Sequence, residues 1–260
     1  MRAGDILLLI VIAAALAGLA IDSATGGGLG AWLSANLSSI GLAAGRALGW
    51  IGLALSPLIL LPLLSGLWGR FVALPGALET LLKRGALIID AISVTVGDAV
   101  RWSGLALVVI TAIIVIQRYV FGVSITALQE SVIYLHSVLF LLSSAAALLS
   151  GGHVRVDIIY AKLSARARAW TDLAGVYLAL IPMSWLILET SRSYVGGAWR
   201  ILERSRESDG LPLVFLLKTA IPLFAVMMIL QGLSMAARAA LTLAGRKAPA
   251  AGETAGDHDL

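Results

Sequence analysis

The 260-residue sequence contains no cysteine, which excludes disulfides, thiolate metal sites and cysteine nucleophiles together. Charge is scarce as well. Asp, Glu, Lys and Arg make up 13% of the chain, against about 25% in an ordinary soluble domain. No HExxH, GxxxxGK[ST] or GxSxG motif occurs, so the zinc-protease, phosphate-loop and nucleophile-elbow chemistries have no carrier. No cofactor-binding or metal-binding set is visible. What the chain does have is apolar bulk: 59% hydrophobic residues and a mean hydropathy of +0.95. Such a composition leaves too little polar surface for a soluble enzyme and is the reverse of a disordered chain. The apolar residues fall in blocks with charged breaks between them, as helices crossing a bilayer require. The fold class that follows is an all-α integral membrane protein.

A crossing helix needs about 20 apolar residues. Four blocks in the second half qualify, at about 102–120, 131–150, 173–190 and 213–235. Two weaker ones precede them. Residues 50–68 have Trp50 and Trp68 at their ends, where aromatic belts sit, and Pro57 and Pro62 inside, where a kink is expected. Residues 6–21 are short and Leu/Ala-rich after Arg2 and Asp5, resembling a signal-peptide core as much as a span. The Gly26–Gly28 run makes an unpersuasive cleavage site, so this block is read as a retained helix. The sequence thus divides into an N-terminal extension (1–85) with one or two membrane helices, a four-span core (86–243) and a disordered tail (244–260).

The connections carry their own pattern. Val156, Ile159, Tyr160, Leu163, Ala167 and Trp170 share one helical face, with Arg155, Asp157, Lys162, Arg166, Arg168 and Asp172 elsewhere. This predicts an amphipathic helix lying flat at the cytoplasmic headgroup surface or docked on a partner. A less regular version runs through Leu87–Arg101, with Ile88, Ile92, Val96 and Ala99 on one side and Asp90 and Arg101 opposite. Ser191–Pro212 reads as a surface helix broken at Gly196-Gly197, followed by a turn at Asp209-Gly210.

The net charge of +4 is read as topology information, not nucleic-acid binding, since no dense basic stripe exists. Lys83, Arg84, Arg101, Arg155, Lys162, Arg166, Arg168, Arg238, Arg246 and Lys247 fall on one side of the four spans. Fewer fall on the other: Arg118, Arg192, Arg200, Arg204, Arg206 and Lys218. The richer side is expected to be cytoplasmic, with both core termini inside.

Few side chains are candidates for chemistry. His136 lies within a span and reads as a hydrogen-bonded structural imidazole or a proton-handling group. His153 and Asp157 face the same way on a helix, as a loop-fixing pair or as two ligands lacking a third. Glu130 could cap the second span, pair with Arg118 or meet a partner. The spans offer no interior charged group except Lys218, which favours an accessory subunit over a carrier.

Several motifs in order resemble a known family. Arg118-Tyr119-Val120-Phe121-Gly122 closes the first core span and Glu130 opens the second. Gly152-His153-Val154-Arg155-Val156-Asp157 follows it, and Asp209-Gly210-Leu211-Pro212 precedes the last, which carries Lys218 and Ile221-Pro222. Together they resemble the small permease subunit of TRAP (tripartite ATP-independent periplasmic) transporters, the DctQ-like family, over about 86–243. The resemblance implies a fixed, non-enzymatic subunit in a bacterial inner membrane. Its implied partners are a large permease subunit and a periplasmic solute-binding protein. The implied activity is ion-gradient-driven uptake of a small carboxylate-bearing solute; the alternative is an independent small carrier or channel. Arg118, Tyr119, Glu130, Gly152, His153, Asp157, Gly210 and Pro212 are the implied structural or partner-interface positions. Gln129 and Ser143-Ser144 depart from the family pattern, and the first 85 residues exceed it, as in a subgroup labelled for mannitol or chloroaromatic compounds.

Overall fold

A computed structural model describes residues 2–69, 71–152 and 160–252. Every regular element among them is helical. In order these are α1 (Ala3–Ala24), α2 (Gly28–Leu55), a 3₁₀ stretch (Ser56–Leu60), α3 (Leu61–Trp68), α4 (Gly76–Val120) and α5 (Thr126–Leu149). There follow α6 (Ala165–Gly175), a π turn (Val176–Leu180), α7 (Ile181–Ile201) and α8 (Val214–Leu243). Among the described residues, six stretches are long and apolar enough to cross a bilayer: Ala3–Ala24, Gly28–Trp68, Gly76–Val120, Thr126–Leu149, Ala165–Ile201 and Val214–Leu243. The chain is an all-α membrane protein.

The helices are longer than the apolar blocks. The second stretch starts at Gly28 rather than near Trp50, because the polar residues between do not interrupt it. Ser34 Oγ donates to Ala31 O, Asn36 Nδ2 to Trp32 O and Ser39 Oγ to Asn36 O, so each is satisfied by its own helix. The surface helix expected over Leu87–Arg101 is instead the middle of the 45-residue α4. Ile88, Ile92 and Arg101 are exposed there, and Asp90 is buried. A bilayer removes the penalty for outward apolar groups, and Asp90 turns inward. The helix expected over Val156–Trp170 is not continuous. Residues 153–159 lie outside the described set, a turn covers 161–163, and Ser164 caps α6 by accepting from the Ala167 amide. From there helix runs through the π turn to Ile201, passing Gly196-Gly197 without a break.

The chain forms two compact units. The first comprises Met1–Trp50, Thr95–Ser143 and Thr190–Leu223. In it α1 seats on α4 through Gly4, where a Cβ would lie 2.4 Å from Thr95 O and 2.5 Å from Asp98 Cβ. Only glycine permits that approach. Around it Arg2 donates to Asp98 (2.9 Å), and Arg101 to Asp5 (2.7 Å) and Asp98 (3.2 Å). Trp102 Nε1 also donates to Asp5 (3.0 Å). Likewise Gly41 of α2 meets the Trp199 ring, which is fixed by its Nε1 donating to Thr219 Oγ1 (2.9 Å) and by an edge contact with Phe215.

The second unit comprises Ile51–Val94, Ser144–Glu189 and Phe224–Leu260. Its apolar centre is Ala169, Leu173, Val176, Ala236, Ala239 and Leu243, with Leu63 and Tyr177 packed alongside. Pro57 and Pro62 break the second stretch as expected, and carbonyls around the break are satisfied. Ser56 Oγ donates to Leu53 O and Ser65 Oγ to Pro62 O. Tyr177 OH donates to Ile59 O (2.5 Å), so the hydroxyl sits against the broken stretch.

Candidate functional site

The family-like positions fall into groups with different roles. Glu130 is the fifth residue of α5, past the capping position, and reaches the loop between α7 and α8. Its Oε2 accepts from the Leu211 amide (2.6 Å), and its Oε1 accepts from Ser205 Oγ. The loop is cross-braced by Ser205 N donating to Leu211 O (3.2 Å), Gly210 N to Glu207 O (3.1 Å) and Glu207 N to Ser205 Oγ (3.1 Å). Gly210 is required by space: a Cβ would lie 2.3 Å from Ser205 Oγ and 2.8 Å from Glu130 Oε1. Pro212 follows, two residues before α8 begins. Glu130, Gly210 and Pro212, distant in sequence, thus belong to one charged staple. Neither the cap nor the Arg118 pairing expected for Glu130 is what the structure has.

A second knot adjoins it in the same unit. α7 ends at Ile201, and the next residue, Leu202, has a φ of 46°, a strained value for a leucine. The Glu203 amide then donates to Ala198 O, and Glu203 O accepts from the Phe215 amide. The Glu203 carboxylate takes the Lys218 ammonium (2.6 Å), which also lies 3.9 Å from the Tyr194 ring centroid. Lys218, the one charge expected inside a span, is therefore neutralised by a neighbour that sequence reasoning left out.

Arg118 and Tyr119 are exposed on the last turn of α4. Gly122 ends that helix at a φ of 66°, letting the Val123 amide donate to Gln117 O (3.0 Å). Gly152 amide donates to Ala147 O (2.8 Å) to close α5, but the left-handed residue there is Gly151, at φ 68°. His153 and Asp157 lie outside the described residues. His136 stacks on Phe140 at 6.1 Å. Among the described residues no three His, Cys, Asp or Glu side chains gather to hold a metal ion.

The second unit holds a polar cluster the sequence reading missed. Asp90, 1% exposed, accepts from Ser234 Oγ (2.7 Å) and Gln231 Nε2 (3.2 Å) and pairs with Arg238. Ser93 Oγ donates to Gln231 Oε1 (2.7 Å), extending the network along α4. The signal was available: Asp90 and Ser93 at i and i+3, and Gln231, Ser234 and Arg238 at i, i+3 and i+7, give each apolar helix one polar stripe. Such a stripe buries itself against another in a bilayer.

Compared with known families, residues 107–242 match the one described as tripartite ATP-independent periplasmic transporters, DctQ component. That is more than half of the chain. The protein belongs to the DctQ family. Searches of curated proteins and of solved structures each give no match. Membership makes it the small membrane component of a TRAP transporter, a class that works with a large permease and a periplasmic binding protein. The matched region contains the Glu130 staple and the Glu203–Lys218 knot. The Asp5–Arg101 network and the Pro-broken helix lie before it.

Proposed function

We propose that this DctQ-family chain is the static scaffold subunit of a secondary transporter in a bacterial inner membrane. It holds a large permease subunit while a periplasmic binding protein delivers a small, carboxylate-bearing solute, and an ion gradient drives uptake. Its core termini face the cytoplasm, following the distribution of Lys and Arg. The observation that carries the scaffold reading is how the ionic side chains at helix contacts are used. Asp90 holds Arg238, Glu203 holds Lys218, Asp5 holds Arg101, and the Glu130 carboxylate holds a loop. A carrier keeps such groups or broken-helix carbonyls for its cargo. Here they tie helices to one another, and carbonyls around Pro57 and Pro62 are occupied by Ser56, Ser65 and Tyr177. Arg118, Tyr119, His153 and Asp157 complete the reading as loop anchors and partner contacts. Proteoliposome uptake tests it. The chain alone should move no solute under a sodium gradient, and uptake should appear only with the permease and binding protein added. Uptake by the chain alone would establish the independent-carrier alternative.

A further inference from the structure

The segment after α8 is not free. It turns at Gly245, φ 69°, and returns along α4. Arg246 Nε pairs with Glu79 (3.3 Å), Ala248 packs on Leu82, Ala86, Ala237 and Leu241, and the Gly252 amide approaches Asp90 Oδ2 (3.4 Å). The contacts advance together, from 246 to 252 along the segment and from 79 to 90 along α4. Eleven helical residues rise about 16 Å, and six extended ones reach about 20 Å, so the segment is long enough to lie along the helix. Beneath its far end is the Asp90–Arg238 pair. The Arg238 Nε is buried and has no hydrogen-bond partner among the described residues, whereas water would supply one. Sealing the groove therefore carries an opposing term, which narrows the gap between a seated and a lifted segment.

We propose that residues 246–252 form a releasable strap. Seated, it closes the apolar groove of α4 and α8 and keeps water from the Asp90–Arg238 pair. Lifted, it exposes the groove and hydrates the pair, so that events at the carboxyl-terminal segment reach a contact between two membrane helices. The inference rests on contacts within one unit and does not depend on the transported solute or on the partner subunits.

The absence of cysteine makes the test clean. Ala86, 1% exposed under the strap, is replaced in the full chain as Ala86→Cys, and its reaction with a small hydrophilic maleimide is timed in membranes. The rate should be at least about tenfold below that of an exposed Arg84→Cys, and adding Ala248→Asp should raise it about tenfold. Equal rates for the two cysteines, or a rate unmoved by Ala248→Asp, would overturn the strap. A double variant, Ala86→Cys with Ala248→Cys, decides the matter should Ala248→Asp fail to fold. Mild oxidation should link the two peptides and remove both thiols, and two thiols left fully reactive would refute the proposal.

Discussion

Replacing Asp90 with Asn removes one charge and almost no volume, which makes it a sharp probe of the buried cluster. Removing one partner of a buried ion pair costs about 3–5 kcal/mol, because the other charge is left uncompensated. The Arg238 side chain retains 15% exposure, so the lower end applies, about 3 kcal/mol. Asp90→Leu combined with Arg238→Met behaves differently. Ser234 keeps its bond to Ala86 O (3.3 Å) and the Gln231 carbonyl keeps Ser93, leaving the Gln231 amide as the chief orphan. The double variant should therefore lie within about 1–2 kcal/mol of the parent. Denaturant titration in mild detergent, followed by the intrinsic tryptophan signal, measures both. A loss below about 1 kcal/mol for Asp90→Asn, or a double variant as damaged as the single one, would refute the buried-pair reasoning.

Three further perturbations test other joints. Gly210→Ala forces a methyl against Ser205 and Glu130 and should cost about 1–3 kcal/mol, whereas Ala at open Gly197 should cost nothing of that kind; thermal shifts of the two variants compare them. Gly4→Leu should unseat α1 from α4, read as loss of a disulfide engineered between the two helices, with expression and detergent behaviour otherwise retained. Tyr177→Phe deletes the hydroxyl that donates to Ile59 O and should lower stability by about 1–2 kcal/mol, read from the denaturant midpoint in mild detergent.

The helical membrane class and the order of the spans were legible because a bilayer demands long apolar runs, and composition records those directly. Helix ends were not, since polar residues such as Asn36 and Ser39 look like breaks until their hydrogen bonds are seen. Nor was the burial of Asp90: the pattern over Leu87–Arg101 was read as an interfacial helix, whereas it lies within one long helix whose exposed positions include Ile88 and Ile92. Glu130 and Asp209–Pro212 were recognised as motif residues, but their meeting is a tertiary fact that no spacing within either segment encodes. Glu203 and Leu202 carried no motif. Their importance lies in a backbone conformation and a partner on another helix.

The central claim is that this DctQ-family chain serves as a scaffold for a larger subunit. The most direct measurement is to tag it at its native level, extract it from its own membranes in mild detergent, and determine the mass and stoichiometry of what accompanies it. The account predicts a large hydrophobic permease at near-equal amount, released when the Glu130 staple or the helix contacts are broken. A folded, monodisperse chain with no such companion would contradict it.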